Sequence, residues 1–199
     1  MSRPSAELTR LEDIGRAFYA GKISRNDARS AVIDVVLQRL RCSRVSLWRF
    51  DEEAGSRSLL CFAAKAAGAE LDVTERRLCE SEYRDYFDGL VDSGMFVSVD
   101  AMADPLLQRM SERYLVANGV RSLLDAAFLV NGRAYGMVCC EQTDAIRRWR
   151  AAEITTLRAM VAKLALLMAT AGDEALWSSP SLPMQPLPLQ APPERHRRP

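Results

Sequence analysis

Imidazole is nearly absent from this chain: its only histidine is His196, in a proline- and arginine-rich carboxyl end. A folded region without histidine cannot build a Ser-His-Asp triad, a histidine zinc site or a histidine-ligated haem. Cysteine is sparse and odd in number, five residues without C-x-x-C spacing, which reads as reduced thiols rather than a disulfide framework. An excess of one charge is missing too. Lys plus Arg is 27 against 26 for Asp plus Glu, so no broad positive field favours nucleic acid or a membrane surface. No apolar run approaches the roughly 20 residues of a membrane span, and MSRPSAELTRLEDIGR lacks the apolar centre of a secretory signal. The expected location is cytoplasmic. What is present is ordinary: 199 residues, 48% of them hydrophobic, enough for one principal domain with a core. Nothing in the pattern calls for a metal or a cofactor.

Hydrophobic spacing sorts the chain into elements. Leu8, Leu11, Ile14 and Phe18 recur at three and four residues before Gly21, predicting a helix in an amino-terminal segment 1–22. Ser24 and Asp27 form a capping-box pattern, and Ala28, Val32, Val35, Val36 and Leu40 carry a second helix to about Arg41. Residues 44–50 and 58–66 read as an antiparallel strand pair joined by a turn over 51–55. Tyr83, Phe87 and Leu90 return to helical spacing within 80–93, with Gly94 as the stop and a short strand over 95–99 after it. Asp104 and Pro105 start a helix through Leu106, Met110 and Tyr114 to Asn118. Asn131-Gly132 between the apolar runs 122–130 and 133–142 is the strongest hairpin signal in the chain.

The last helix, 152–168, sets Ile154, Leu157, Val161, Leu164 and Met168 on one seam. Such a seam docks on the sheet or pairs with its copy in a homodimer. The overall order is α+β, an antiparallel meander flanked by helices rather than alternating βαβ units. Seven of the nine prolines lie in 180–199, and residues 173–199 read as a disordered Pro-rich tail.

Four segments, VSLWRFDEEAGSRSLLCFA (45–63), LCESEYRDYFDGL (78–90), GVRSLLDAAFLVNGRAYGMVCCEQ (119–142) and RRWRAAEITTLRAMVAKLALLM (147–168), together resemble GAF domains. The similarity is greatest to those of bacterial sensor histidine kinases and diguanylate cyclases, and the domain would span 23–172. The resemblance implies a GAF/PAS-like central antiparallel sheet with N- and C-terminal helices on one face. On the other face, connecting helices would cover a small-molecule hollow or its vestige. It also implies a stand-alone sensory or regulatory module in bacterial signal transduction. Such a module binds a small molecule or a signalling protein, passes the signal through its terminal helices, has no output domain and is not an enzyme. Bilin-binding relatives hold their chromophore on a cysteine beside a histidine, and Cys79 has no such neighbour. The NKFDE pattern of cyclic-nucleotide GAF domains is absent as well.

Several residues stand out as candidates for the ligand pocket. Asp125 lies within an apolar strand, on the face shared by Leu123, Ala127 and Leu129. A buried carboxylate needs a donor or a raised pKa, so it either meets a ligand or accepts a structural donor, for example from Arg121. Tyr83, Tyr86 and Phe87 sit on the helix that resembles the family's pocket wall, and are either lining or plain core. Arg76 and Cys79, with Arg77, fall in a loop able to close over such a pocket. Cys79 near Arg76 and Arg77 also leaves open a cysteine-based enzyme of the free-methionine-sulfoxide-reductase kind. A ligand-free interaction scaffold is the remaining alternative.

Overall fold

A computed structural model describes residues 5–53, 55–66, 69–73, 76–130, 133–171 and 176–177. Helices α1 (Ala6–Tyr19) and α2 (Arg25–Leu40) open the chain. The capping box forms as the pattern predicts: Ser24 Oγ accepts from the Asp27 backbone N–H at 3.1 Å, and Asp27 accepts from the Ser24 backbone N–H at 3.3 Å. Strands β1 (Arg44–Glu53) and β2 (Ser56–Ala66) follow, then β3 (Ala69–Glu70) and β4 (Arg77–Cys79). Next come α3 (Arg84–Ser93), stopped by Gly94 at φ 68°, and β5 (Met95–Ser98). The hairpin β6 (Val120–Val130) and β7 (Arg133–Thr143) leads to α4 (Ala151–Ala171). The two turn residues, Asn131 and Gly132, lie outside the described residues.

The strands form one antiparallel sheet in the order β3-β2-β1-β7-β6-β5, with β4 also pairing β2. Period-two alternation sends Val45, Leu47, Leu124, Ala126, Val138 and Cys140 to one face, under α1, α2 and α4. Leu59, Leu123, Met137 and Cys139 go to the other face, under α3 and the segment before β6. No helix among the described residues is long and apolar enough to cross a membrane.

Three expectations need correction. The seam of α4 does not face a second copy: Leu157, Val161, Leu164 and Met168 are buried in the chain's own core, with Ile154 half-buried beside them. Their packing against α1 and the sheet already removes the apolar stripe from water. The helix expected after Asp104 is a 3₁₀ turn, Pro105–Met110, running into a wider π-helical segment, Ser111–Val116. It buries Leu107, Met110 and Leu115, the last reached through the wider π-helical turn. Leu129 shares the face of Asp125, since Phe128 and Val130 on either side of it turn into the helix-covered core, but at this end of the strand it is 60% exposed. Finally, a tail beginning at 173 is too long by at least two positions. Leu176 and Trp177 are fully buried against the helix-covered face, and the rest of the proline-rich stretch lies outside the described residues.

Candidate functional site

The face beneath α3 carries the chain's cluster of buried acids. Three residues alternate along β6 and β7 to point at that face: Asp125, Cys139 and Glu141, all fully buried. Arg44, across the β1/β7 ladder, makes an ion pair with Glu141. The other Glu141 oxygen accepts the Tyr114 hydroxyl at 2.7 Å. Burial, reinforced by Glu141, holds the Tyr114 phenol protonated well above its ordinary range.

Asp125 meets a tyrosine rather than an arginine. The Tyr86 hydroxyl donates to its Oδ2 at 2.8 Å, while Arg121 pairs with Asp100 at 3.6 Å. The second oxygen, Oδ1, has no strong donor, and only the Cys139 thiol lies against the carboxyl group. Burial therefore dominates the hydrogen bonds and raises Asp125 from 3.8 to about 7.

The hollow expected beneath the connecting helices is filled at its centre. Tyr86, Phe87, Leu90, Phe96, Leu107 and Met137 pack there, with Tyr86 edge-on to Phe96 at 5.0 Å between ring centres. What stays open is a cleft of about 310 Å³ toward the β4 side, bounded by Trp48, Arg76, Arg77, Leu78, Glu82, Tyr83, Arg113, Tyr114 and Asn118. That size is at the low end of small-molecule sites. Arg76 and Tyr83 border the opening. Tyr86, Phe87 and Asp125 sit behind it in packed core, and Cys79 is not among its walls.

Sequence reasoning passed over Trp48, Arg113, Tyr114 and Asn118. Trp48 was read only as a strand residue, and Tyr114 as a core position of a regular helix. The signal for Tyr114 was the buried acid it would need to serve, Glu141, which the sequence pattern does not single out. The supposed loop over the pocket is also more ordered than expected. Arg77–Cys79 form a strand on β2, and Arg77 Nε donates to Ser58 Oγ at 3.1 Å while its Nη2 reaches Asp51 at 3.4 Å.

Three cations and one carboxylate border the cleft, with the nearest pair, Arg113 and Glu82, a loose 3.9 Å apart at the surface. Aromatic faces and guanidinium forks together suit a small anion with a flat body. The floor is connected to the rest of the domain. Tyr114 ties the cleft wall to Glu141 and Arg44, and just beyond them Arg147 donates to the carbonyls of Leu40 at 2.5 Å and Arg41 at 2.9 Å. Arg147 also pairs with Glu153 in the first turn of α4 at 2.8 Å. Among the described residues, no group of three or more His, Cys, Asp and Glu side chains is placed to hold a metal ion.

Comparisons with known proteins agree with this architecture. The GAF domain family model matches residues 25–168. Among solved structures, the phycocyanobilin-bound GAF domain of a cyanobacterial phytochrome superposes with a TM-score of 0.65 at 17% identity. That match covers 84% of this chain and 96% of the other. A far-red-absorbing dark-state protein with bound biliverdin IXα gives a TM-score of 0.65 at 16% identity, covering 83% and 99%. The GAF domain of an Acinetobacter phosphoenolpyruvate-protein phosphotransferase gives 0.60 at 18% identity, covering 86% and 96%. Among curated proteins, none matches this sequence. The chain belongs to the GAF domain family.

Proposed function

We propose that this chain is a sensory GAF module that takes a small anion bearing a flat ring into the cleft beside Trp48 and Tyr114. It hands the change to a partner protein through its terminal helices and makes no bonds itself. The observation that carries the reading is the composition of the cleft, with Arg76, Arg77 and Arg113 set around Trp48, Tyr83 and Tyr114. A ligand shifts the helices only if it binds one arrangement better than another. The route available is Tyr114 to Glu141 and Arg44, along β7 to the adjacent Gln142, whose Oε1 accepts from Arg147 at 3.2 Å, and from Arg147 to the end of α2 and the start of α4. A tetrapyrrole such as those named for the structural neighbours suits this chain poorly, because Cys79 is not in the cleft wall and the matched region has no histidine.

The redox-enzyme alternative has little support. Burial pushes Cys61 up to about 12 and holds Cys139 and Cys140 well above the ordinary thiol range, so these three thiols stay protonated near neutrality; Cys42, lowered chiefly by its hydrogen bond with Cys140, is the exception and lies outside the cleft wall. The filled centre of the face favours the scaffold alternative more than the enzyme.

Calorimetric titration with phenyl phosphate, and with benzoate as the smaller anion, tests the sensory reading. Binding is expected, weakened about tenfold by Arg113→Ala through the loss of one charge-assisted contact. If neither anion binds, or if Arg113→Ala and Arg76→Ala leave affinity unchanged, the anion site fails and the scaffold reading takes its place.

A further inference from the structure

The buried pair Leu176-Trp177 occupies a site that the sheet builds for it. In the β1/β2 ladder Leu47 pairs Ala63 and Trp48 pairs Cys61, so Phe62 is skipped and the strand bulges. At that bulge the carbonyl of Trp48 accepts the Trp177 indole N–H at 2.7 Å. Phe62 and Phe128 stand edge-on to the indole, with ring centres 5.2 and 5.0 Å away. Position 136 must lack a side chain: a Cβ on Gly136 would lie 2.7 Å from Phe128 Cζ and closer still to Trp177 Nε1. Arg29, buried on α2, donates through Nε to the Leu176 carbonyl at 2.8 Å, and its guanidinium carbon sits 4.4 Å over the Phe62 ring. Burial lowers the Arg29 pKa to about 10, so the charge persists near neutrality.

One residue belongs to both faces of the sheet. The Trp48 carbonyl holds Trp177 on the helix-covered face, while the Trp48 side chain lines the cleft on the opposite face, 6.3 Å from Tyr114 between ring centres. A shift of the β1 backbone at the bulge changes both environments together. We infer that Leu176-Trp177 is a latch linked to the cleft through Trp48, so that closing the cleft on a ligand tightens the latch and releasing the latch loosens the cleft. The latch follows α4 after only residues 172–175, so its release changes what the chain presents beyond its last helix. The existence of the latch is independent of any ligand; its regulation by one rests on the sensory reading above.

Two arms of one experiment separate these claims. The indole N–H signals of Trp48, Trp149 and Trp177 are followed by hydrogen exchange in the full-length protein. In the first arm, without ligand, Trp48→Leu keeps the carbonyl but removes the ring from the cleft. It is expected to speed exchange at Trp177 by about tenfold over Leu90→Ala, a control on α3 compared at matched global stability. Equal exchange in the two variants overturns the coupling. In the second arm, saturating phenyl phosphate is expected to slow exchange at Trp177 but not at Trp149. Reciprocally, Trp177→Phe is expected to weaken phenyl phosphate binding about fivefold, as linkage requires. If phenyl phosphate binds and neither effect occurs, the regulated latch is overturned. If it does not bind at all, the sensory reading falls, and the first arm alone decides the latch.

Discussion

The two faces of this sheet solve burial in opposite ways. The face under α1, α2 and α4 is the drier one, mainly apolar with Arg29 and Lys65 as its buried cations, and is closed by helices whose three-and-four spacing matches the α-helical period. The face under α3 carries Asp125, Cys139, Glu141 and Arg44 on its floor, covered by α3 together with 3₁₀ and π-helical turns. On that face two hydroxyls reach particular acids, Tyr86 from the regular helix α3 to Asp125 and Tyr114 from the π-helical segment to Glu141. The open cleft lies on the second face, next to the groups whose protonation and pairing are least relaxed. Stability is thus concentrated on one side and adjustable chemistry on the other.

Substitutions that breach this division should act in a definite order. The largest effect is expected from Leu157→Asp, which puts an unpaired carboxylate into the dry face. A loss of about 5 kcal/mol or more should unfold the chain, visible by circular dichroism. A folded Leu157→Asp protein that merely changes its oligomeric state would restore the intermolecular seam. Next is Asp125 on the wet face. It keeps its proton to about pH 7 when folded but to 3.8 when exposed, so the folded state binds the extra proton across that window. Stability should therefore fall as pH rises from about 4 to 7 and level off above. Asp125→Asn keeps an acceptor for Tyr86 and removes the titration. Relative to wild type it should gain on the order of 4 kcal/mol between pH 4 and pH 8 in urea unfolding curves. Parallel pH profiles for the two proteins would mean that Asp125 is not the buried acid described. The smallest effect is expected at the junction of the faces, where Gly136→Ala crowds Trp177 and Phe128. A loss of about 1–3 kcal/mol by overpacking, with rapid exchange of the Trp177 indole, is the expected result. Full indole protection in that variant would show that the pocket yields elsewhere.

Much of the dry face could be read from spacing alone. The apolar stripe of α2, its Ser24-Asp27 cap, the stops at Gly21 and Gly94 and the β6/β7 hairpin are local signals, each set by backbone geometry over a few residues. The site was less accessible. Of the pocket candidates, Arg76 and Tyr83 border the open cleft, while Tyr86, Phe87 and Asp125 are packed behind it. Periodicity says which residues share a face; it does not say how far the opposite layer descends onto them. The same limit explains α4, whose seam fits a sheet or a second helix equally well until its neighbours are known.

The amino-acid sequence by itself determined the order of the elements, the antiparallel pairing of the central hairpin and the lack of histidine chemistry, because these depend on neighbours within a turn or on composition. Only the tertiary structure decided that Tyr114 serves Glu141 from 27 positions away and that Trp177 serves Trp48 from 129 positions away. A hydrogen bond of that kind leaves no periodic trace in the chain. It exists only once the sheet has brought donor and acceptor together and taken the water from between them.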